Sequence, residues 1–351
     1  MAASSGRSER RVATIKEVAQ EAGVSTATVS RVMSGRNGAG AQVKRRVLAV
    51  AERLRYQPNR SAQILRSRRR NLIGAVIPDL QNPFFTGIVR GVEEVLHAAG
   101  FTLFLANSDE VSSREENEIR ALQAEGVSGL VLIPCNPGGD HYANILTAEL
   151  PVVAVDRVPD GTEVDLVKTA NADGARVAVS HLLSLGFREI AIINGPIDYA
   201  VASERLEGFH QAMRSVGAKV HRDWEQHEDF RIDGGYKAAR RILDGNTRPR
   251  ALFVTNYLMT LGALQAIHEL KLRIPEDIAV VGFDDMPWAI SLNPPLTAVG
   301  QPTTDLGRTA AQLLLERLEH PERPFRKVIL QPRLIVRASC GAVLRTPSNP
   351  P

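Results

Sequence analysis

Residues 14–31 read TIKEVAQEAGVSTATVSR, two short helical stretches around a tight turn. Thr14 and Glu17 have the T-x-x-E spacing of a capping box, in which each side chain takes up a backbone N–H that the first turn leaves free. Ile15, Val18, Ala19 and Ala22 then recur at helical spacing and form one apolar face. Gly23 stops that helix and Ser25 is placed to cap the next, predicting a second helix from Thr26 to about Met33. Val29, Val32 and Met33 face inward on it, which leaves Thr26, Ala27, Thr28, Ser30 and Arg31 outside. A third helix from Val43 to about Leu54 offers Val47, Leu48, Ala51 and Leu54 to close a small core. A second helix presented in this way is the kind that lies in a DNA major groove.

Any folded chain can open with a three-helix cluster, but charge separates this one from the bland case. Through Arg70 there are sixteen Lys and Arg against four Asp and Glu, whereas the remainder carries 27 against 35. The overall net of +4 therefore conceals a basic head on an acidic body, and only the head suits a polyanion. Residues 59–70, NRSAQILRSRRR, are short, basic and polar and read as a linker.

From Leu72 the pattern changes. LIGAVIP, FTLFLAN, GLVLIP and PVVAVD are short apolar runs of buried-strand type, separated by amphipathic segments near 85–98, 114–124 and 142–150. A second series, EIAIING, ALFVTN and IAVVGFDD, alternates with segments near 175–185, 204–215, 235–243 and 258–270. Strands alternating with helices predict right-handed βαβ units and parallel sheets covered on both faces. Two such series predict two doubly wound lobes whose shared cleft is the default ligand site.

With 351 residues, 44% of them hydrophobic and 23% charged, two or three folded domains are expected. No apolar run approaches the roughly 20 residues of a membrane span. MAASSGRSERR lacks the apolar stretch of a signal peptide and reads as a disordered basic arm, so a cytoplasmic, nucleoid-associated protein is expected. Cys135 and Cys340 are far apart in sequence, and neither a disulfide framework nor a metal site is expected.

Together these residues resemble the lactose-repressor (LacI/GalR) family of bacterial transcription regulators, over essentially residues 12–340. The resemblance is carried by ATIKEVAQEAGVSTATVSRV, YQPNRSAQIL and LIGAVIPDLQNPFF, followed by GVSGLVLIP, VDR, HLLSLGFREIAIINGP and RLEGF. The N-x-x-M-x-x-G-A segment from Asn256 to Ala263, VVGFDD, NPPLTAVGQP and LQPRLIVRAS complete it. It implies an α/β chain: an N-terminal three-helix helix-turn-helix headpiece plus hinge helix, then a two-lobed core like a periplasmic sugar-binding protein. On that basis residues 1–11 are an arm, 12–58 the headpiece and 59–70 the hinge helix. The N-terminal lobe takes 71–170 and 301–327, the C-terminal effector lobe 171–300 and 328–342, and 343–351 is a disordered tail.

The resemblance also implies a homodimer on a pseudo-palindromic double-stranded DNA operator, switched by a small-molecule effector such as a sugar or related metabolite, with no cofactor. Thr26, Ala27 and Arg31 fall at base-reading positions, and a guanidinium such as that of Arg31 can bind guanine bidentately. Tyr56, Asn59 and Arg60 suit phosphate contacts, and Leu65 matches a leucine that wedges between bases in the minor groove. The head departs from the family at 38–44, where Gly40 stands as the cap of the third helix. GAGAQV there imitates a dinucleotide-binding loop, but no strand precedes it.

For the effector, Arg205 matches the family's ligand-binding arginine, Asp284 the acid after the VVGF strand, Asn256 the family's Asn and Asp156 the acid ending an N-lobe strand. Only 17 of the 351 residues are aromatic, yet Phe84, Phe85, Tyr199, Phe230 and Tyr257 map to cleft positions, where flat apolar faces suit pyranose rings. The alternative reading is ordinary core for one of Phe85 and Phe230. Tyr257 replaces the family's usual Asp, which removes a strong acceptor and narrows the expected pocket. Asp285 is assigned to the hinge or the dimer face.

A doubly wound enzyme, a dehydrogenase or hydrolase, is the alternative. Against it, no strand is followed by G-x-G-x-x-G, and there is no P-loop, no G-x-S-x-G and no metal-spaced His or Cys cluster. His221 and His227 lie in a polar stretch that reads as solvated loop. A transport solute-binding protein would share the core, but the basic head and the missing signal peptide oppose it. The tail LRTPSNPP lacks the leucine heptad of the family's tetramer-forming member, which favours a dimer.

Overall fold

The computed structural model describes residues 13–33, 40–54, 56, 71–135, 142, 146, 150–159 and 162–342. The hinge and tail assignments, with Asn59, Arg60 and Leu65, lie outside the described residues, as does most of the amphipathic segment 142–150. The chain divides between Arg70 and Asn71 into two compact units.

The first unit is the three-helix cluster. Helix α1 (Ile15–Ala22) starts at a complete Thr14/Glu17 capping box and ends at Gly23, whose φ of 63° is left-handed backbone that glycine adopts without steric cost. Ser25 Oγ accepts from the Thr28 amide at 3.1 Å to start α2 (Thr26–Met33). Helix α3 (Ala41–Arg53) has Gly40 as its N-cap, with no side-chain hydrogen bond there. Val18, Val29 and Val47 are fully buried at the centre, with Val32, Val50 and Ala51 around them. Leu48, expected in this core, is 42% exposed. The inward stripe of α3 runs through Val43, Val47, Val50 and Leu54, and Leu48 lies about 100° from Val47 on the helical wheel.

The second unit carries two six-stranded sheets. The first contains β1 (Leu72–Ile77), β2 (Thr102–Asn107), β3 (Gly129–Leu132), β4 (Val152–Val155) and β5 (Asp165–Thr169), all parallel. It is flanked by α4 (Pro83–Ala98) and α5 (Ser112–Ala124). The second begins after α6 (Asn171–Ser184) with β6 (Ile190–Asn194), and continues through α7 (Ala200–Ser215), β7 (Glu225–His227), α8 (Ile232–Leu243), β8 (Ala251–Val254), α9 (Tyr257–Glu269), β9 (Ala279–Phe283) and β10 (Thr297–Gly300). The chain then crosses back. Helix α10 (Thr303–Glu319) packs on α4 in the first lobe, and β11 (Lys327–Leu330) adds in parallel beside β5. Finally β12 (Arg333–Ile335) pairs antiparallel with β10 in the second lobe.

The last crossing therefore falls after Leu330, not at the expected 327/328 boundary, because β11 is hydrogen-bonded to β5 along its length. Strand β2 also departs from its reading. FTLFLAN has the composition of a buried strand but is the outermost strand of its sheet, with Phe104 and Leu105 each 42% exposed. Strands β5 and β7 have no continuous apolar run to betray them, and that of β11 is only Val328 to Leu330; buried β5 is DLVKT, with both Asp165 and Lys168 inside. His227 lies on β7 rather than in a loop.

Helices α4 and α10 touch backbone to backbone. A Cβ on Gly91 would stand 2.0 Å from the Thr304 carbonyl oxygen, and one on Gly307 equally close to that of Ile88. Even alanine would force the helices apart, so these two glycines fix the crossing that ties the returning chain to the first lobe.

Candidate nucleic-acid interface and ligand cleft

On α2, Val29 and Val32 are buried while Ala27 and Arg31 are exposed, four residues apart and hence on one face. Thr26, Thr28 and Ser30 are half-buried, and the Thr28 hydroxyl lies 2.9 Å from Ser25 Oγ, within the cap. Tyr56 packs against the three-helix core, and burial raises the pKa of its phenol.

In the second unit the C-terminal ends of both parallel sheets face a cavity of about 390 Å³, within the range of small-molecule sites. Seven of the nine residues expected there line it: Phe84, Phe85 and Asp156 from the first lobe, and Arg205, Phe230, Asn256 and Asp284 from the second. Tyr199 and Tyr257 do not. Tyr199 lies with its ring 4.8 Å from the Arg157 guanidinium carbon and meets Phe230 edge-on. Tyr257 turns to Trp288, ring centroids 5.5 Å apart, so the cavity is not narrowed by its phenol.

Local rules place each wall. Asn82 caps α4 by accepting from the Phe84 amide at 3.0 Å, and Pro83 fills the first helical position, which sets Phe84 and Phe85 at the cleft. Phe230 has a φ of 62°, and its ring lies over Gly195, where a Cβ would be 2.1 Å from the ring carbons. Asn256 caps α9, accepting from the Met259 amide at 2.8 Å and donating to the Phe230 carbonyl at 3.1 Å. Its side chain is thus committed first to holding the wall.

Each lobe ends one strand in a buried aspartate with left-handed backbone: Asp156 after β4, φ 67°, and Asp284 after β9, φ 78°. Both amides donate at 2.8 Å to a carbonyl of the neighbouring strand, Val167 and Val299 respectively. Burial raises both carboxyl pKa values, opposed in each case most strongly by the charge of Arg205. Arg205 is itself 4% exposed, so burial lowers its pKa, opposed by Asp284 and Asp156. Its Nε donates to Asn171 Oδ1 at 2.9 Å and its Nη1 to the Thr255 carbonyl at 2.6 Å, while the guanidinium stacks 4.0 Å over Phe283.

Sequence reading missed Arg157, Glu110 and Gln301, all of which line the cavity. Arg157 forms a fork with Glu110, 2.9 Å on each arm, and donates to the Pro134 and Cys135 carbonyls. Burial alone would lower the Arg157 pKa, but Glu110 and Asp156 reverse this and the net shift is upward. The available signal was the VDR string itself, a charged residue directly after a strand-ending aspartate. Asp285 is paired with Arg337 at 2.6 Å. Among the described residues no group of His, Cys, Asp or Glu could hold a metal ion, and no helix is long and apolar enough to cross a membrane.

A helix-turn-helix unit joined to a two-lobed core with a polar, small-molecule-sized cleft defines a ligand-responsive DNA-binding transcriptional regulator, not an enzyme. Residues 14–59 match the family described as bacterial regulatory proteins, lacI family, and residues 179–340 match a periplasmic binding protein-like domain. The chain is 34% identical to the ribose operon repressor of Escherichia coli K12 over 330 residues, covering 93% of this chain and all of the relative. It is 33% identical to the HTH-type transcriptional repressor PurR of Pasteurella multocida, covering 93% of this chain and 98% of the relative. The crystal structure of the lac repressor dimer bound to operator and the anti-inducer ONPF superposes with a TM-score of 0.83 at 30% identity, covering 94% of this chain and 99% of that one. The chain belongs to the lacI family of bacterial regulatory proteins.

Proposed function

We propose that the protein is a cytoplasmic repressor that binds a pseudo-palindromic operator as a homodimer at the nucleoid and is switched by a sugar or sugar-derived metabolite held between the lobes. The observation that carries the switch is the cavity of about 390 Å³ between two buried aspartates and the Arg205 guanidinium. The dimer and the operator rest on the relatives, one of which was crystallised as a dimer on operator DNA. Asn59, Arg60 and Leu65 enter this reading only through the family resemblance.

In it, Thr26, Ala27 and Arg31 read base edges, Thr28 and Ser30 support the approach, and Tyr56 sets the register on the phosphates. Half-site centres then lie about 10 bp apart, because a two-fold dimer presents both recognition helices to one face of the duplex. Operator selection from a random pool, followed by binding of Arg31→Ala, tests the assignment. The variant should lose about 1–3 kcal/mol and relax preference at one base pair. A uniform loss on all sequences would make Arg31 a phosphate contact instead.

A further inference from the structure

Strand β5 is buried along its length yet carries a lysine, and an ammonium is kept inside a fold only where a partner answers it. The partner of Lys168 does not belong to its own lobe. Its Nζ donates to Oε1 of Glu204, on α7 of the second lobe, and the two side chains are 8% and 34% exposed. Among the ion pairs between described residues, this is the one that joins the lobes.

The pair stands where the lobes meet the cleft. Lys168 lies two residues before Ala170, which links β5 to α6, and so sits beside the first crossing between the lobes. Glu204 directly precedes Arg205, and the Asn171 side chain clasps both. Its Nδ2 donates to Glu204 Oε2 at 3.2 Å, and its Oδ1 accepts from Arg205 Nε at 2.9 Å. Both charges are felt in the cleft. Burial raises the pKa of Asp156 with Lys168 among the charges that oppose it, and burial lowers that of Arg205 with Glu204 among those that oppose it. Just before α7, the Tyr199 ring lies 4.8 Å from the Arg157 guanidinium carbon of the first lobe. The start of α7 is therefore held to the first lobe at two points, one beyond the end of β4 and one on β5.

We infer that Lys168 and Glu204 form an interlobe latch that holds α7, and with it Arg205, against the first lobe, and so sets how far the lobes stand apart before any ligand arrives. Rotation about the crossings pulls the pair apart. The buried ammonium then loses its carboxylate, which is strongly disfavoured, while the more exposed Glu204 can turn to water. Apparent affinity for a ligand scales with the fraction of chains in the competent arrangement, so a latch of this kind tunes the sensitivity of the switch without touching the ligand. The inference concerns the lobes themselves and does not depend on what the effector is.

The test is the interlobe distance in the ligand-free, full-length protein. Spin labels at Asn117→Cys on α5 and Lys219→Cys beyond α7, both exposed positions, report it by pulsed dipolar spectroscopy, and native Cys135 and Cys340 are buried. Labelled protein is diluted into an excess of unlabelled protein, so that only distances within one chain are read. The wild type should give one narrow distribution, and a wild type already broad overturns the latch. Lys168→Met removes the cation without stranding a buried charge and should raise the population outside the wild-type range about tenfold. Glu204→Gln should do the same. The double variant Lys168→Met with Glu204→Gln should do no more than either single, as expected of two groups that act as one. Wild-type distributions in both single variants overturn the latch even if the variants melt lower, because a purely structural pair changes stability and not the lobe angle. Additive shifts in the double variant overturn it too, since the two residues would then act separately.

Discussion

The two walls of the cleft are built alike and finished differently. In each lobe a parallel strand ends in a buried, left-handed aspartate whose amide bonds the neighbouring strand, and a buried arginine lies close by. On the second lobe the carboxylate is satisfied: Asp284 Oδ2 accepts from the Tyr257 amide at 3.2 Å and Oδ1 from Gln301 Nε2 at 2.6 Å. On the first lobe Asp156 Oδ1 has no partner, although its surroundings are as dry. A desolvated, unmatched acceptor costs free energy in the folded chain, and such a cost is retained where function uses it. The second wall is therefore closed on itself by its own hydrogen bonds, while the first leaves one buried carboxylate oxygen unpaired.

Removing the shared cation should disturb both walls and have the largest effect. Arg205→Ala strips the opposing charge from Asp284 and Asp156 and leaves the Thr255 carbonyl and Asn171 Oδ1 without their donor. Loss of one member of a buried ionic cluster costs about 3–5 kcal/mol, read by urea unfolding of the core. Operator affinity without ligand should survive, since the helix-turn-helix unit has its own core, while the response to effector disappears. A normal response in this variant would remove Arg205 from the ligand site.

Substituting the two aspartates one at a time separates the walls. Asp284→Asn weakens two bonds inside the protein and should cost about 1–3 kcal/mol of stability. Asp156→Asn exchanges a partly unsatisfied buried charge for a neutral amide, so the ligand-free core should be as stable or more so, with effector affinity reduced. Equal destabilisation by both would show the walls to be equivalent.

The difference between the walls marks where sequence reading stopped. Capping at Thr14 and Ser25 depends on neighbours three residues away, and the parallel lobes on short apolar runs, so both were legible locally. Seven of the nine cleft residues that the family resemblance implied reach the cavity. The partners of Arg157 were not legible, since Glu110 is 47 residues away and reaches it through a left-handed loop. Nor was the crossing after Leu330, because the apolar run of β11 is only three residues long and its partner β5 carries Asp165 and Lys168. Leu48 and β2 failed for a shared reason: composition marks a residue as apolar without saying whether its side of the element is covered.

A smaller and graded effect is expected with pH. Burial raises the pKa values of Asp156 and Asp284 above the ordinary carboxylate range in the ligand-free protein. An acid whose folded pKa is raised adds stability at low pH and loses it as pH rises through that folded value. A hydroxyl donated to Asp156 favours the ionised form, so binding expels protons, and effector affinity should fall as pH is lowered towards the raised values. Titration in buffers of different ionisation enthalpy measures the protons released. Proton uptake on binding would contradict a donor-bearing ligand at Asp156, whereas Asp284, already satisfied, should contribute less.

The smallest effect is expected at Tyr257. Its side chain meets Trp288 rather than the cavity, and only its backbone amide, through Asp284, serves the second wall. Tyr257→Phe keeps both the ring pair and the amide and should leave stability and effector selectivity unchanged. Tyr257→Asp loses an aromatic pair worth about 0.5–1.5 kcal/mol, partly offset by about 0.3–1 kcal/mol for an acid in the first turn of a helix. The net should be small in unfolding experiments, with the order of preference among sugars retained. A change in that order would mean that position 257 reaches the ligand from a conformation other than the one seen here. It would also make the second wall adjustable, where its satisfied aspartate and capped helix make it rigid.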